Sequence, residues 1–271
     1  MDAEIVREGM EEETEKFSIL RITEEKVAQI EDIVAKEFPL TIVLNNQELV
    51  TLLCSPTKLD YLAIGFLSSE GLIRNKEEIK KILLDEQRGV MRVEVEEERE
   101  FAKELVFKRL ITSGCGRGTT FYSAADATSL AKVESETQIS VPEVLKLIKD
   151  FHYQSQVYRA TGGVHSAALC DTKEILVFSE DIGRHNALDK IFGESILRDI
   201  STEAGIIITS GRISSEILLK AAKRNIPIII SKSAPTDLAV RLAGDLGITL
   251  VGFVRGKRMN VYTNSWRVKT E

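Results

Sequence analysis

Ile206-Ile-Ile-Thr-Ser-Gly-Arg212 and Ile228-Ile-Ile-Ser-Lys-Ser-Ala-Pro-Thr236 decide the fold. Each opens as a short run of β-branched apolar residues and passes through small polar residues. Each then leads into helix-spaced sequence, near 213–224 and 237–246 respectively. Strands that are apolar on both faces and alternate with helices predict an α/β fold with a mostly parallel, buried sheet. Working outward, Ile175–Phe178 leads through Ser179-Glu-Asp-Ile-Gly-Arg-His-Asn186 into a helix expected near 187–198. Ile248–Val254 and Met259–Tyr262 read as the last strands, joined by Arg255-Gly-Lys-Arg258. Val164–Leu169 pairs with Ile175–Phe178 around Asp171-Thr-Lys173 as a hairpin.

Further towards the N-terminus the pattern is mixed. Leu40–Leu44 and Glu48–Leu53 flank Asn45-Asn46, an Asn pair suited to a hairpin turn because Asn tolerates positive φ. Leu59, Leu62, Ala63, Phe66 and Leu67 lie at helical spacing, and Gly71 stands where a helix would end. Val90-Met-Arg-Val-Glu-Val-Glu96 alternates as a strand does, and the Glu-rich run to Glu100 reads as an exposed turn. Ser140-Val-Pro-Glu143 is a helix start, with a hydroxyl cap, an early Pro and Glu at the third position; Gly162-Gly163 would close that helix. The expected organisation is an N-terminal tail and helix (1–35), a smaller α+β region (36–107), an α/β core (108–264) and a C-terminal tail (265–271).

The 271 residues carry a net charge of −6, with 43% hydrophobic residues and three cysteines. That apolar content builds a core and excludes a wholly disordered chain. No apolar run approaches the roughly 18 residues of a membrane span, and the acidic start Met1-Asp-Ala-Glu4 does not read as a signal peptide. Too few cysteines are present for a disulfide framework, so the expectation is a soluble cytoplasmic protein with reduced thiols and no membrane partner. Charge is unevenly placed. Residues 205–271 hold 11 Lys/Arg against 4 Asp/Glu, a net of +7, which leaves −13 for the rest. A basic portion within an acidic chain favours a small anionic ligand over nucleic acid.

Three loops are placed to meet such an anion, because ligands of open α/β sheets sit beyond the carboxyl ends of the strands. One carries Gly183, Arg184 and His185. The next carries Ser210, Gly211 and Arg212, and the third Lys232 and Ser233. Small residues permit backbone approach, and Arg and Lys neutralise phosphate. Serines at helix starts are also ordinary caps, so it is the three loops together with Arg255, Gly256, Lys257 and Arg258 that point to a phosphate-bearing ligand. Neither a Walker sequence nor G-x-G-x-x-G occurs.

Cys54 and Cys170 end apolar strands and read as small hydrophobes. Cys115 lies between glycines in Thr112-Ser-Gly-Cys-Gly-Arg-Gly-Thr119, expected to be a mobile loop where Arg117 and Arg109 favour the thiolate. The alternative is a surface cysteine in a flexible turn. A second cysteine at C-x-x-C spacing is lacking, which argues against a zinc site. A thiol hydrolase or nucleotide deaminase would need His165 or His185 as base. His152, inside a helix, reads as a plain surface residue.

Leu62-Ala-Ile-Gly-Phe-Leu-Ser-Ser-Glu-Gly71, Thr112-Ser-Gly-Cys-Gly116, Thr161-Gly-Gly-Val-His-Ser166, Glu180-Asp-Ile-Gly-Arg-His-Asn-Ala-Leu-Asp-Lys190, Thr209-Ser-Gly-Arg212, Ser233-Ala-Pro-Thr236 and Leu250-Val-Gly-Phe-Val-Arg-Gly-Lys-Arg258 resemble the FdhD/NarQ family, from about residue 36 to 264. The resemblance implies a cytidine-deaminase-like core without the deaminase zinc. It also implies a sulfur carrier required for formate dehydrogenase activity. Sulfur would be taken as a persulfide from a cysteine desulfurase and passed to the bis-molybdopterin guanine dinucleotide cofactor, of molybdenum or tungsten. That cofactor is bound only in transit, and a guanine nucleotide would mimic part of it. By motif match Cys115 carries the persulfide and Phe253, Val254, Arg255, Gly256, Lys257 and Arg258 contact the cofactor. Many family members read Cys-Gly-x-Cys in the loop; this chain reads Cys115-Gly-Arg-Gly118. A second reading therefore stands beside the first, a cofactor- or nucleotide-binding insertion chaperone without covalent sulfur. The expected assembly is a homodimer, the commonest state of soluble oligomers.

Overall fold

The computed structural model describes residues 10–96 and 130–270. The central unit is a six-stranded sheet. It is built from β8 (His165–Cys170), β9 (Ile175–Asp181), β10 (Ile206–Thr209), β11 (Ile228–Ser231), β12 (Thr249–Arg255) and β13 (Arg258–Thr263), in the order β13-β12-β11-β10-β8-β9. Alternate side chains enter two separate cores. Leu169, Ile207, Ile229 and Leu250 face α4 (Arg184–Leu197), α5 (Ser215–Ala222) and α6 (Asp237–Asp245). Their neighbours Ala168, Ile208, Ile230 and Val251 face α2 (Val141–Gln154). The strands are apolar on both sides because helices cover both sides.

The α/β class predicted from the strand–helix alternation is the one observed. The sheet is less parallel than expected. Only β10–β11 and β11–β12 are parallel; β8–β9, β8–β10 and β12–β13 are antiparallel. The reason is local. Two of these pairs are joined by tight hairpins, which can only connect antiparallel strands.

A third core lies under a four-stranded sheet of β3 (Phe38–Leu44), β4 (Gln47–Cys54), β5 (Ile79–Asp85) and β6 (Val90–Val95), ordered β4-β3-β6-β5 and covered by α1 (Leu59–Ser69). Asn45 and Asn46 take φ of 45° and 66° in the β3–β4 turn, as their residue types predict. α1 and α4 pack with their backbones touching. A Cβ on Gly65 would stand 1.8 Å from the Asp189 carbonyl oxygen, and one on Gly193 would stand 1.9 Å from that of Tyr61. These two glycines join the smaller sheet to the larger one.

Three expectations are corrected. Residues 1–35 are not a tail and helix where described. A helical turn at 10–13 is followed by a hairpin of β1 (Thr14–Ile22) and β2 (Val27–Ala35), in keeping with their β-branched Ile and Val content. The helix opening at Ser140 has the expected capping box, with the Ser140 N–H donating to Glu143 Oε2 at 2.7 Å. It stops at Gln154, however. Ser155 breaks it with ψ of 70°, its hydroxyl donating to the Phe151 carbonyl, and a short α3 (Gln156–Thr161) then runs to Gly162 at φ 64°. Residues 265–269 are not a tail either. β14 (Val268–Lys269) pairs with β7 (Ile139–Ser140), and the buried Arg267 guanidinium donates to the carbonyls of Ser135 and Gly247. The boundary expected near residue 107 lies outside the described residues.

Candidate functional site

β9, β10, β11 and β12 all run in one direction, so their carboxyl ends meet at one edge, joined there by the starts of β8 and β13. This edge collects His165, Arg184, Ser210–Arg212, Lys232–Ser233 and Arg255–Arg258, residues scattered over almost a hundred positions of sequence.

The loops are tied to one another in sequence across the edge. The Ser166 N–H donates to Ser210 Oγ at 2.9 Å, and the Ser210 N–H to the Ser166 carbonyl at 3.0 Å. His165 Nδ1 lies 3.5 Å from the same hydroxyl. Gly211 packs tightly against Arg184: a Cβ there would fall 3.0 Å from Arg184 Cβ, so that side chain would have to give by a few tenths of an ångström. The Ser231 hydroxyl donates to the Gly211 carbonyl at 2.8 Å and accepts from the Ser233 N–H at 2.9 Å. The Phe253 N–H donates to the Ser233 carbonyl at 3.0 Å, and Arg255 Nε to the Lys232 carbonyl at 3.4 Å. Phe253 sits at φ 54°, a left-handed conformation costly for an aromatic residue, where the β12–β13 register shifts.

The electrostatics of this edge are those of cations held close together. Burial, then the neighbouring Arg255, pulls the Lys232 ammonium below its ordinary range. His152 reaches over from α2, its Nδ1 3.5 Å from Lys232 Nζ; burial, then Lys232 and Arg159, lower its pKa. His165 is lowered by burial and next by Arg184, with Asp181 acting in the opposite sense. His185 lies beside a carboxylate, its Nε2 2.9 Å from Glu216 Oε2. An anion placed among Lys232, Arg255, His152 and His165 would relieve this mutual repulsion.

The structure sorts the sequence-predicted residues. Arg212, Arg255, Gly256, Lys257 and Arg258 are exposed at the edge, and Phe253, Lys232 and Ser233 are half-buried there. Val254 is a correction. It is fully buried in the core beneath α2, on the face that Val251 takes three residues earlier, because the left-handed Phe253 and the register shift beside it break the alternation of β12. Cys54 and Cys170 are buried; desolvation pushes the Cys54 thiol up to about 12 and Cys170 higher still, leaving both as inert thiols. Cys115 and its loop lie outside the described residues.

The segment 181–190 proves to be chiefly architecture. Asp181, fully buried, accepts from the N–H groups of Ser55 and Gly183 and from Asn186 Nδ2, and pairs with the fully buried Lys190 at 2.8 Å. Asp189 pairs with Lys220 at 2.6 Å and accepts from the Ser69 hydroxyl. These bonds fix the start of α4, and with it Arg184 and His185. Sequence reasoning did not find Ser55, Lys220 or His152 as members of these clusters. Only the burial of Asp181 and Asp189, which demands partners, could have signalled the first two.

An α/β sheet with a basic, multi-loop carboxyl edge and no Walker or dinucleotide fingerprint defines the class. Comparison with known proteins narrows it. The chain belongs to the FdhD/NarQ family, whose family model matches residues 35–269. It is 45% identical over 251 residues to the sulfur carrier protein FdhD of Bacillus subtilis (strain 168), covering 93% of this chain and 96% of that one. It is 48% identical over 237 residues to the protein of the same name from Bacillus pumilus (strain SAFR-032), covering 88% of this chain and 90% of that one. Among solved structures it is similar to a formate dehydrogenase accessory protein from Desulfotalea psychrophila, with a TM-score of 0.78 and 27% identity, covering 95% of this chain and all of that one.

Proposed function

We propose that the protein is a sulfur carrier serving formate dehydrogenase, and that the basic edge holds its anionic cargo, a bis-molybdopterin guanine dinucleotide. One observation carries this reading: loops from four strands bring Arg184, Arg212, Lys232 and Arg255–Arg258 to a single edge, with His152 and His165 among them. The names of the relatives and of the structural neighbour supply the context. The cargo carries several phosphates and two guanines, a fit to cations, small residues and a half-buried aromatic ring.

In the proposed chemistry the Cys115 thiolate attacks the outer sulfur of a persulfide on a cysteine desulfurase. A new S–S bond forms on Cys115, and the donor cysteine leaves as its thiolate. Handing that sulfur on as sulfide to the metal of the cargo takes two electrons. With Gly118 in place of a second loop cysteine, two external thiols supply them: the first forms a mixed disulfide with Cys115 as sulfide departs, and the second releases it as a free disulfide and restores the Cys115 thiol. The same Gly118 favours the second reading, an insertion chaperone that holds the cargo without covalent sulfur. The protein would work as a homodimer in the reducing cytoplasm; among the described residues no helix is long and apolar enough to cross a membrane.

Two measurements test the reading. Binding of GDP, used as the probe for one end of the cargo, is expected to weaken at least about tenfold in Lys232→Glu/Arg255→Glu; unchanged binding removes the edge from the proposal. Incubation with a cysteine desulfurase and cysteine is expected to make wild type heavier by one sulfur atom, reversibly on reduction. Cys115→Ser should not gain it and should still bind GDP. An unmodified wild type that binds GDP decides for the chaperone.

A further inference from the structure

Lys232, just past the end of β11, is an amine in an uncommon setting. Its backbone is clamped on both sides: its N–H donates to the Thr209 carbonyl at 3.2 Å, and its carbonyl accepts from Arg255 Nε at 3.4 Å. Ser231 and Ser233, before and after it, are tied to each other through the Ser231 hydroxyl. The root of the side chain is therefore fixed. The side chain is half-buried, and its ammonium enters no ion pair among the described residues. Lys58, Lys76, Lys146, Lys190 and Lys220, by contrast, each face a carboxylate. What Lys232 Nζ faces is an imidazole nitrogen, His152 Nδ1 at 3.5 Å, with the Arg255 cation close by.

These are the conditions under which a lysine becomes a nucleophile. Only the neutral amine has a lone pair to offer, and burial and then the charge of Arg255 both favour it. A carboxylate partner would favour the ammonium instead. An attacking amine must also lose a proton, and a neutral imidazole beside it can take that proton. Burial, then Lys232 and Arg159, hold His152 in that neutral form. The surroundings select the electrophile. Arg212, Arg255 and Arg258, exposed at the same edge, favour a reagent that carries its own negative charge. An activated acyl group joined to such a charge is an acyl phosphate.

We infer that Lys232 is a modification site, acylated by acyl phosphates that dock on the basic edge, with His152 as the base. The Lys232 nitrogen attacks the acyl carbon and a C–N bond forms. The C–O bond to phosphorus-bound oxygen breaks, inorganic phosphate leaves, and the amine proton passes to His152 Nδ1. No oxidant or reductant is needed. The product is a neutral amide, so the edge loses one cation and its hold on anionic cargo weakens. The inference rests on the anion-binding reading above and adds a means of regulating that edge.

Acetyl phosphate and peptide mass spectrometry of the full-length chain test it. Lys257, exposed on the same edge, and Lys149, exposed on α2, are the internal references. Lys232 is expected to gain an acetyl group at least about tenfold faster than either, and His152→Gln should slow Lys232 about tenfold without slowing the references. GDP should protect Lys232, and the acetylated chain should bind GDP about tenfold more weakly. Neutral succinimidyl acetate should prefer Lys232 over Lys257 less than acetyl phosphate does. Acetylation of Lys232 at the rate of the references overturns the inference, as does a selective reaction that neither GDP nor His152→Gln slows. Equal selectivity with both reagents removes the acyl phosphate from it. A chain that binds no GDP yet is acetylated selectively at Lys232 fails the cargo reading and keeps the modification site. GDP binding without selective acetylation does the reverse.

Discussion

Histidine is the residue that makes this edge chemically testable. His165 was legible as a candidate base from its residue type, although its place beside Ser210 was not. His152 was not, because nothing in a helix sequence says that Lys232, eighty residues away, will lie 3.5 Å from it. Burial, and then neighbouring cations, keep both rings below the ordinary histidine range. The sign of the resulting pH dependence follows. In the empty protein these rings resist protonation that the unfolded chain accepts, so they withdraw stability as pH falls through the ordinary histidine range. A bound phosphate cancels the surrounding positive potential, raises both pKa values and makes the complex take up protons. GDP affinity should therefore rise more steeply on acidification in wild type than in His152→Gln/His165→Gln. Titration calorimetry across the histidine range reads the difference, and parallel profiles would count against an anion at this edge. Val254 was out of reach for a related reason. It sits within a basic motif yet belongs to the core on the same face as Val251, because the left-handed Phe253 resets the alternation of β12, which a period-two reading does not foresee.

Among the elements, the α1–α4 pair was readable as two helices but not as a contact. The glycines that make it are buried in apolar or mixed sequence, and a glycine inside a helix pattern announces only that something comes close. Gly193→Ala should cost at least about 3 kcal/mol, since its Cβ would meet backbone that cannot yield. Gly244→Ala, in α6, is the control. Its Cβ would meet only Thr263 Cγ2 at 3.9 Å, so it should be neutral or stabilise by about 0.4–1 kcal/mol. Urea unfolding of the two variants gives the comparison. The N-terminal hairpin escaped the sequence reading because its strands expose residues on both faces, which blurs the period-two signal that a half-buried strand carries. The C-terminal strand escaped because two residues are too few to show any period.

For the whole molecule, the two sheet units are joined by buried charge. Lys190 and Asp181, both fully buried, pair at the junction, and each also reaches the Ser55 backbone of the smaller unit. Lys190→Met would leave the Asp181 carboxylate buried without its counter-charge, at a cost of about 3–5 kcal/mol. Chemical denaturation should show the lowered midpoint, and an unchanged midpoint would mean that the pair does not hold the junction. The sequence by itself determined the α/β class, most of the strands and helices, the turn and cap positions and the identity of the basic loops. All of these are set by periodicity and residue type within a dozen neighbours. Only the tertiary structure decided that those loops share one edge, that the sheet is parallel at its centre alone, that the 181–190 segment is mainly scaffold, and that His152 stands at the site. Each depends on which distant segments pack together, and that choice is made by burying apolar faces and pairing buried charges, neither of which leaves a local mark in the chain.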